Sequence, residues 1–102
     1  MAAATIVPPP SNRKMFAVMG QSNTERIGQV IKEKYPEDHY VLVPGQWLLV
    51  AEGTAKSISD NLGITDGSTG SAVIVVFTSY FGRANTQIWD WLAAKMGAPV
   101  RA

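Results

Sequence analysis

Every residue from Met15 to Met19 is apolar, and the run stops at Gly20. A run of this length and composition suits a short strand buried on both faces, which belongs in the middle of a sheet, with a turn at the glycine. Beyond Gly20 the period changes. Ile27, Val30, Ile31, Lys34 and Tyr35 recur at helical spacing, so a helix from about Thr24 to Tyr35 has one apolar face, interrupted only by the Lys34 stem. Glu25, Arg26, Gln29, Lys32 and Glu33 look outward, and Pro36 ends the helix. Ser22 and Glu25 have capping-box spacing and are expected to close the helix start.

The segments His39 to Val43 and Gln46 to Glu52 are both rich in strand formers, and Pro44-Gly45 between them carries hairpin turn chemistry. Thr54 can cap a second helix that runs to about Leu62, with Ala55, Ile58 and Leu62 on one face and Gly63 at the exit. Gly67, Ser68, Thr69 and Gly70 then read as a mobile connector into the most strand-prone stretch, Ala72 to Ser79. Asn85 should cap a third helix from about Thr86 to Met96, closed by Gly97 ahead of Pro99, with Ile88, Trp89, Leu92 and Met96 on one stripe. Trp89 and Trp91 point about 200° apart on a helix, so they are not expected to face one surface, and one of them is free for a second interface.

The order βαββαβ predicts an α+β fold of the ferredoxin-like type, a sandwich with an antiparallel sheet in the order 4-1-3-2, plus an extra C-terminal helix. Residues 1–13 read as a tail because Pro8-Pro9-Pro10 offers no backbone donors, residues 14–97 as a single domain, and residues 98–102 as a C-terminal tail. With 102 residues, 46% of them hydrophobic and 17% charged, the chain has globular composition. A chain this short buries only about 60 to 65% of its unfolded surface, a shallow core that a protected interface would help.

Nine Lys and Arg against eight Asp and Glu are scattered along the sequence, so neither a basic stripe nor an acidic tail marks a partner. The absence of cysteine removes disulfides, thiolate metal sites and cysteine nucleophiles together. No run approaches the roughly 18 apolar residues of a membrane span, and Met1 to Pro10 lacks the charged start and long apolar stretch of a secretory signal. A cytoplasmic protein without membrane contact is the expectation.

The order of elements, with the strand Gln46-Trp47-Leu48-Leu49-Val50 running into Thr54-Ala55-Lys56-Ser57-Ile58, resembles the small ferredoxin-like superfamily of CRISPR-associated endoribonuclease or integration subunits and their SinR-like relatives. The resemblance covers roughly Met15 to Ser79. It implies a homodimer, and in the CRISPR-associated members an aspartate at the end of the first strand is proposed to hold a divalent metal. The matching stretch here, Val18-Met19-Gly20-Gln21-Ser22, has no carboxylate, and Gln21 or Ser22 could offer only neutral ligands to a hard cation.

Gly20-Gln21-Ser22-Asn23 between a strand and a helix is also similar to the nucleophile block of SGNH-type esterases. A serine nucleophile needs a base oriented by an acid, and His39, the only histidine, follows Glu37 and Asp38 at a strand start instead of lying in a late Asp-x-x-His element. Ser22 is therefore read as a cap and His39 as a strand-edge residue. Nor does any carboxylate spacing indicate a metal site. The Gly63 to Gly70 stretch lacks the Lys-Ser or Lys-Thr of a phosphate loop and precedes a strand, so it reads as a linker. Phe16, Trp47 and Phe77 lie in apolar runs and are expected in the core rather than stacked on bases.

Tyr80-Phe81-Gly82-Arg83 joins the last strand to the helix near Asn85, and a guanidinium close to a helix N-terminus is an arrangement that anions favour. Tyr80, Arg83 and Asn85 are the candidate anion-binding residues; no catalytic residue, metal or cofactor is assigned. The expected function is a small non-catalytic interaction or regulatory module that self-associates as a homodimer, with a further protein partner open. The alternative is a degenerate or unusual nucleic-acid-binding or nuclease-related protein.

Overall fold

The computed structural model describes residues 13–96. In chain order the elements are β1 (Arg13–Ser22), α1 (Thr24–Lys34), β2 (His39–Val43), β3 (Gln46–Glu52), α2 (Ala55–Leu62), β4 (Ser71–Phe77) and α3 (Thr86–Met96). The fold is α+β, with one four-stranded antiparallel sheet in the order β2-β3-β1-β4, which counted from the β4 edge is 4-1-3-2.

Strand alternation divides the sheet's side chains between two cores. On one face Phe16, Val18, Trp47 and Leu49 meet Ile27 and Ile31 of α1 and Ile58 and Leu62 of α2, all buried. Each such side chain withdrawn from water contributes about 1.5–3 kcal/mol. On the other face Met15, Leu48 and Val50 meet Leu92 of α3. β1 thus has a helical layer on each side, as its unbroken apolar run requires.

Both tryptophans of α3 are used inside the chain, contrary to the expectation that one is left for a second interface. Trp89 stacks on Tyr80 with ring centroids 5.5 Å apart, and Trp91 lies 5.6 Å from Tyr40. The helix lies on the sheet through Leu92, and the two indoles flank that residue and reach down on opposite sides into the same core.

Local expectations fail at two places around the first turn. β1 does not stop at Gly20 but continues to Ser22, with a bulge between Gly20 and Ser22 in its pairing with β4. Gly20 belongs in the strand because a Cβ there would sit 2.6 Å from the Thr24 methyl and 3.0 Å from the Gly45 carbonyl oxygen, to which its own N–H donates at 2.8 Å. The capping box of Ser22 and Glu25 does not form. The N-cap is Asn23 in a left-handed conformation (φ 54°), which asparagine tolerates, and its side chain donates to the Thr69 carbonyl at 2.8 Å instead of capping the helix. Ser22 stays in the sheet, hydroxyl to hydroxyl with Ser71 at 2.8 Å.

The other caps form where expected. Thr54 Oγ1 accepts from the Ser57 N–H at 3.1 Å, Ser57 Oγ accepts from the Thr54 N–H at 2.8 Å, and Gly63 makes the left-handed exit of α2 at φ 77°. Asn85 Oδ1 accepts from the Gln87 N–H at 2.9 Å and so caps α3. Lys34 is exposed rather than part of the apolar face of α1, and β4 begins one residue earlier and ends two earlier than expected. Arg13, assigned to the tail by sequence, is a β1 residue and pairs with Asp38 at 3.0 Å. Asp38 also receives Lys95 at 3.3 Å, tying the start of β1 and the end of α3 to one carboxylate. The rest of the N-terminal tail, the closing Gly97, Pro99 and the tail 98–102 lie outside the described residues.

Candidate functional site

β4 occupies one edge of the sheet with β1 as its neighbour. Its side chains alternate: Ala72 and Ile74 pack toward α1 and α2, while Phe77 packs toward α3. Between these anchors Val73, Val75 and Val76 remain 49%, 39% and 49% exposed. The strand contains no lysine, proline or charge, the residues with which natural edges discourage pairing. Val73 and Val75, in register with Met19 and Ala17, lie on the α3 face beyond that helix's cover, and Val76, in register with Phe16, lies uncovered on the α1 and α2 face.

The opposite edge is built differently. β2 is shorter, its pairing with β3 is interrupted by a bulge between Val41 and Val43, and Pro44 comes directly after it. Bulges and prolines both interrupt a pairing template. Beside it, a shallow groove of about 500 Å³ runs between β2 and α1, with Lys32, His39, Val41 and Trp47 in its walls.

The catalytic constellations considered from sequence do not assemble. His39 lies in register with Leu49 and Phe16, whereas Ser22 lies two strands away and six residues further along β1. At sheet spacings that is about 20 Å along the strands and about 10 Å across them. His39 Nδ1 instead donates to the Tyr35 carbonyl at 2.6 Å. Among the described residues no group of three or more histidines and carboxylates is placed to hold a metal ion, and no helix is long and apolar enough to cross a membrane.

The candidate anion corner is spread out. The Tyr80 ring packs in the second core and its hydroxyl is buried without a hydrogen-bond partner among the described residues, Arg83 is exposed, and the Asn85 oxygen is engaged by its own helix. Tyr80, Phe81, Gly82 and Trp89 line a cavity of about 110 Å³, with the Phe81 ring 82% exposed at its mouth.

Two features had no signal in the sequence. One is the clasp of Arg13 and Lys95 on Asp38; the other is a groove at the start of β1 between Met15, Val76, Phe77 and Met96. Both join residues far apart in the chain. No family model, curated protein or solved structure matches this chain.

Proposed function

We propose that this chain is a non-catalytic interaction module of ferredoxin-like arrangement that self-associates by pairing β4 with β4 of a second copy. The observation that carries the reading is the open β4 edge, apolar along Ala72 to Phe77, with Val73, Val75 and Val76 exposed. Unpaired main-chain donors and acceptors supply affinity in strand addition, and alternate side chains supply specificity. A second copy suits this edge because an antiparallel two-fold contact centred on Ile74 places Val73 of each chain opposite Val75 of the other. On the opposite face Ala72 then meets Val76, a small residue against a larger one. The bulge and Pro44 at β2 make that edge the poorer partner.

Non-catalytic function is supported by the separation of Ser22 from His39 and by the missing carboxylate after the first strand. Light scattering across a dilution series tests the association. The expected mass is twice the 11.0 kDa of one chain at high micromolar concentration, falling toward the single-chain value on dilution. A single-chain mass throughout the series overturns the reading.

A further inference from the structure

α1 lies along β2 with the opposite chain sense. The start of the helix, at Thr24, shares a cavity of about 330 Å³ with Pro44 and Gly45, and Lys32, near its end, shares one of about 500 Å³ with His39. Glu25, Gly28, Val41 and Trp47 belong to both, so the two form one groove along the β2 edge. Its floor is apolar: Val41 is 51% exposed there, and the Trp47 ring reaches it beneath Gly28, where a Cβ would come to 3.2 Å from that ring.

The helix wall carries an ordered set of polar groups. Glu25, Gln29 and Lys32 stand at i, i+4 and i+7, on one stripe of α1, and all three are exposed. The two charges are about 10 Å apart along the helix axis. Neither has an ion-pair partner among the described residues, where Asp38 and Asp60 take Arg13, Lys95 and Lys56.

We infer that this groove binds a short peptide with free ends, its ammonium at Glu25, a peptide group at Gln29 and its carboxylate at Lys32. Charge complementarity is the first argument. Acid, amide and base along the wall are the complement of ammonium, peptide bond and carboxylate, and the Gln29 amide both donates and accepts, as a peptide group does. Length is the second. At about 3.3–3.6 Å per extended residue, a tripeptide matches the distance between the two charges. Val41 and Trp47 then offer apolar surface to small side chains, as ligand clefts do between their few polar groups. His39, its Nδ1 held by the Tyr35 carbonyl at 2.6 Å, stands as a fixed wall at the Lys32 end. The groove flanks the sheet edge opposite β4, so peptide binding and self-association stand or fall separately.

Trialanine titrated into the full chain tests this, with NMR following the indole N–H signals of the three tryptophans. The expected result is a saturable shift at Trp47, with Trp89 and Trp91, in the core under α3, unmoved. Acetylating the peptide's amino end or amidating its carboxyl end each weakens binding about fivefold, the upper range for an exposed ion pair. Glu25→Gln removes the effect of acetylation and keeps that of amidation, and Lys32→Gln does the reverse. Both residues are exposed, so the fold survives either change. No shift at Trp47 up to the solubility limit of the peptide overturns the proposal, and so do equal shifts at all three tryptophans. Binding that ignores the blocked ends, or blocking effects that both variants leave unchanged, overturn it as well.

Discussion

The phenolic oxygen of Tyr80 is buried with no hydrogen-bond partner among the described residues while its ring stacks on Trp89. An unsatisfied buried donor costs about 1–3 kcal/mol, and phenylalanine keeps the ring without the hydroxyl. Tyr80→Phe is therefore expected to stabilise the protein by about 1 kcal/mol, seen as a higher urea midpoint at unchanged slope. A lower midpoint would mean that the hydroxyl makes a hydrogen bond in solution. At this scale sequence reading succeeded where the partner was local and failed where it was remote. Thr54, Gly63 and Asn85 act within a few residues of themselves, so their roles were legible. Ser22 and Asn23 are claimed by Ser71 and Thr69, nearly fifty residues away in the chain, and no capping rule anticipates that.

Among the elements, the connector from α2 to β4 departs most from its sequence reading as a mobile linker. The Thr69 N–H donates to the Gly63 carbonyl at 2.9 Å, Asn23 holds the Thr69 carbonyl, and Thr69 is buried. Asp60 accepts from Thr65 Oγ1 at 2.6 Å and from Lys56 Nζ at 2.9 Å, and Asp66 accepts from the Ser68 N–H at 3.0 Å. The hydrogen bond from Thr65, then that from Lys56, holds the Asp60 carboxyl below the ordinary carboxylate range, and the Ser68 N–H does the same for Asp66. For a lowered pKa the stabilisation is present above the unfolded value of about 3.9 and disappears as pH falls through the folded one. Acidification is expected to loosen this connector, with carboxyl midpoints for Asp60 and Asp66 below those of the same residues in short peptides, as NMR titration would measure. Midpoints at the peptide values would mean that these hydrogen bonds do not persist in solution.

α3 carries a second expectation at this scale. Leu92 is its one buried residue, 1% exposed, while the tryptophans, Ile88 and Met96 are half-buried around it. Leu92→Ala should cost about 2–5 kcal/mol. Hydrogen exchange should accelerate first in α3, because α1 and α2 rest on the other core. Uniform acceleration across all three helices would show instead that the two cores open as one unit.

For the whole molecule, the decisive asymmetry is between two edges of one sheet. Both edges expose valines, Val41 and Val43 on β2 and Val73, Val75 and Val76 on β4, but β2 is shorter, bulged and followed by proline, whereas β4 is the longer strand. In the proposed pairing Val75 faces Val73 of the other copy on each side of the axis, so a lysine there places two ammonium groups in the contact. Val75→Lys is expected to leave the fold intact, because the residue is 39% exposed, and to hold the mass at that of one chain across the dilution series. Retained association with Val75→Lys would move the interface elsewhere. The tryptophan helix no longer argues for a second surface, since Trp89 and Trp91 are both spent on the inner core.

Element order, most element boundaries and membership of the first core were determined by the sequence alone, because period, turn residues and caps act over a few neighbouring positions. The apolar run of β1 announced a central strand, and Ile27, Ile31, Ile58 and Leu62 announced the helix faces that cover it. Tertiary structure decided the rest. That α3 covers the sheet face and not its edge, that both tryptophans serve one core, that Asp38 gathers Arg13 and Lys95, and that a groove lies between Met15 and Met96 all depend on which distant segments meet. Local propensity carries no information about such meetings; they are set by how helices and strands share a limited apolar surface.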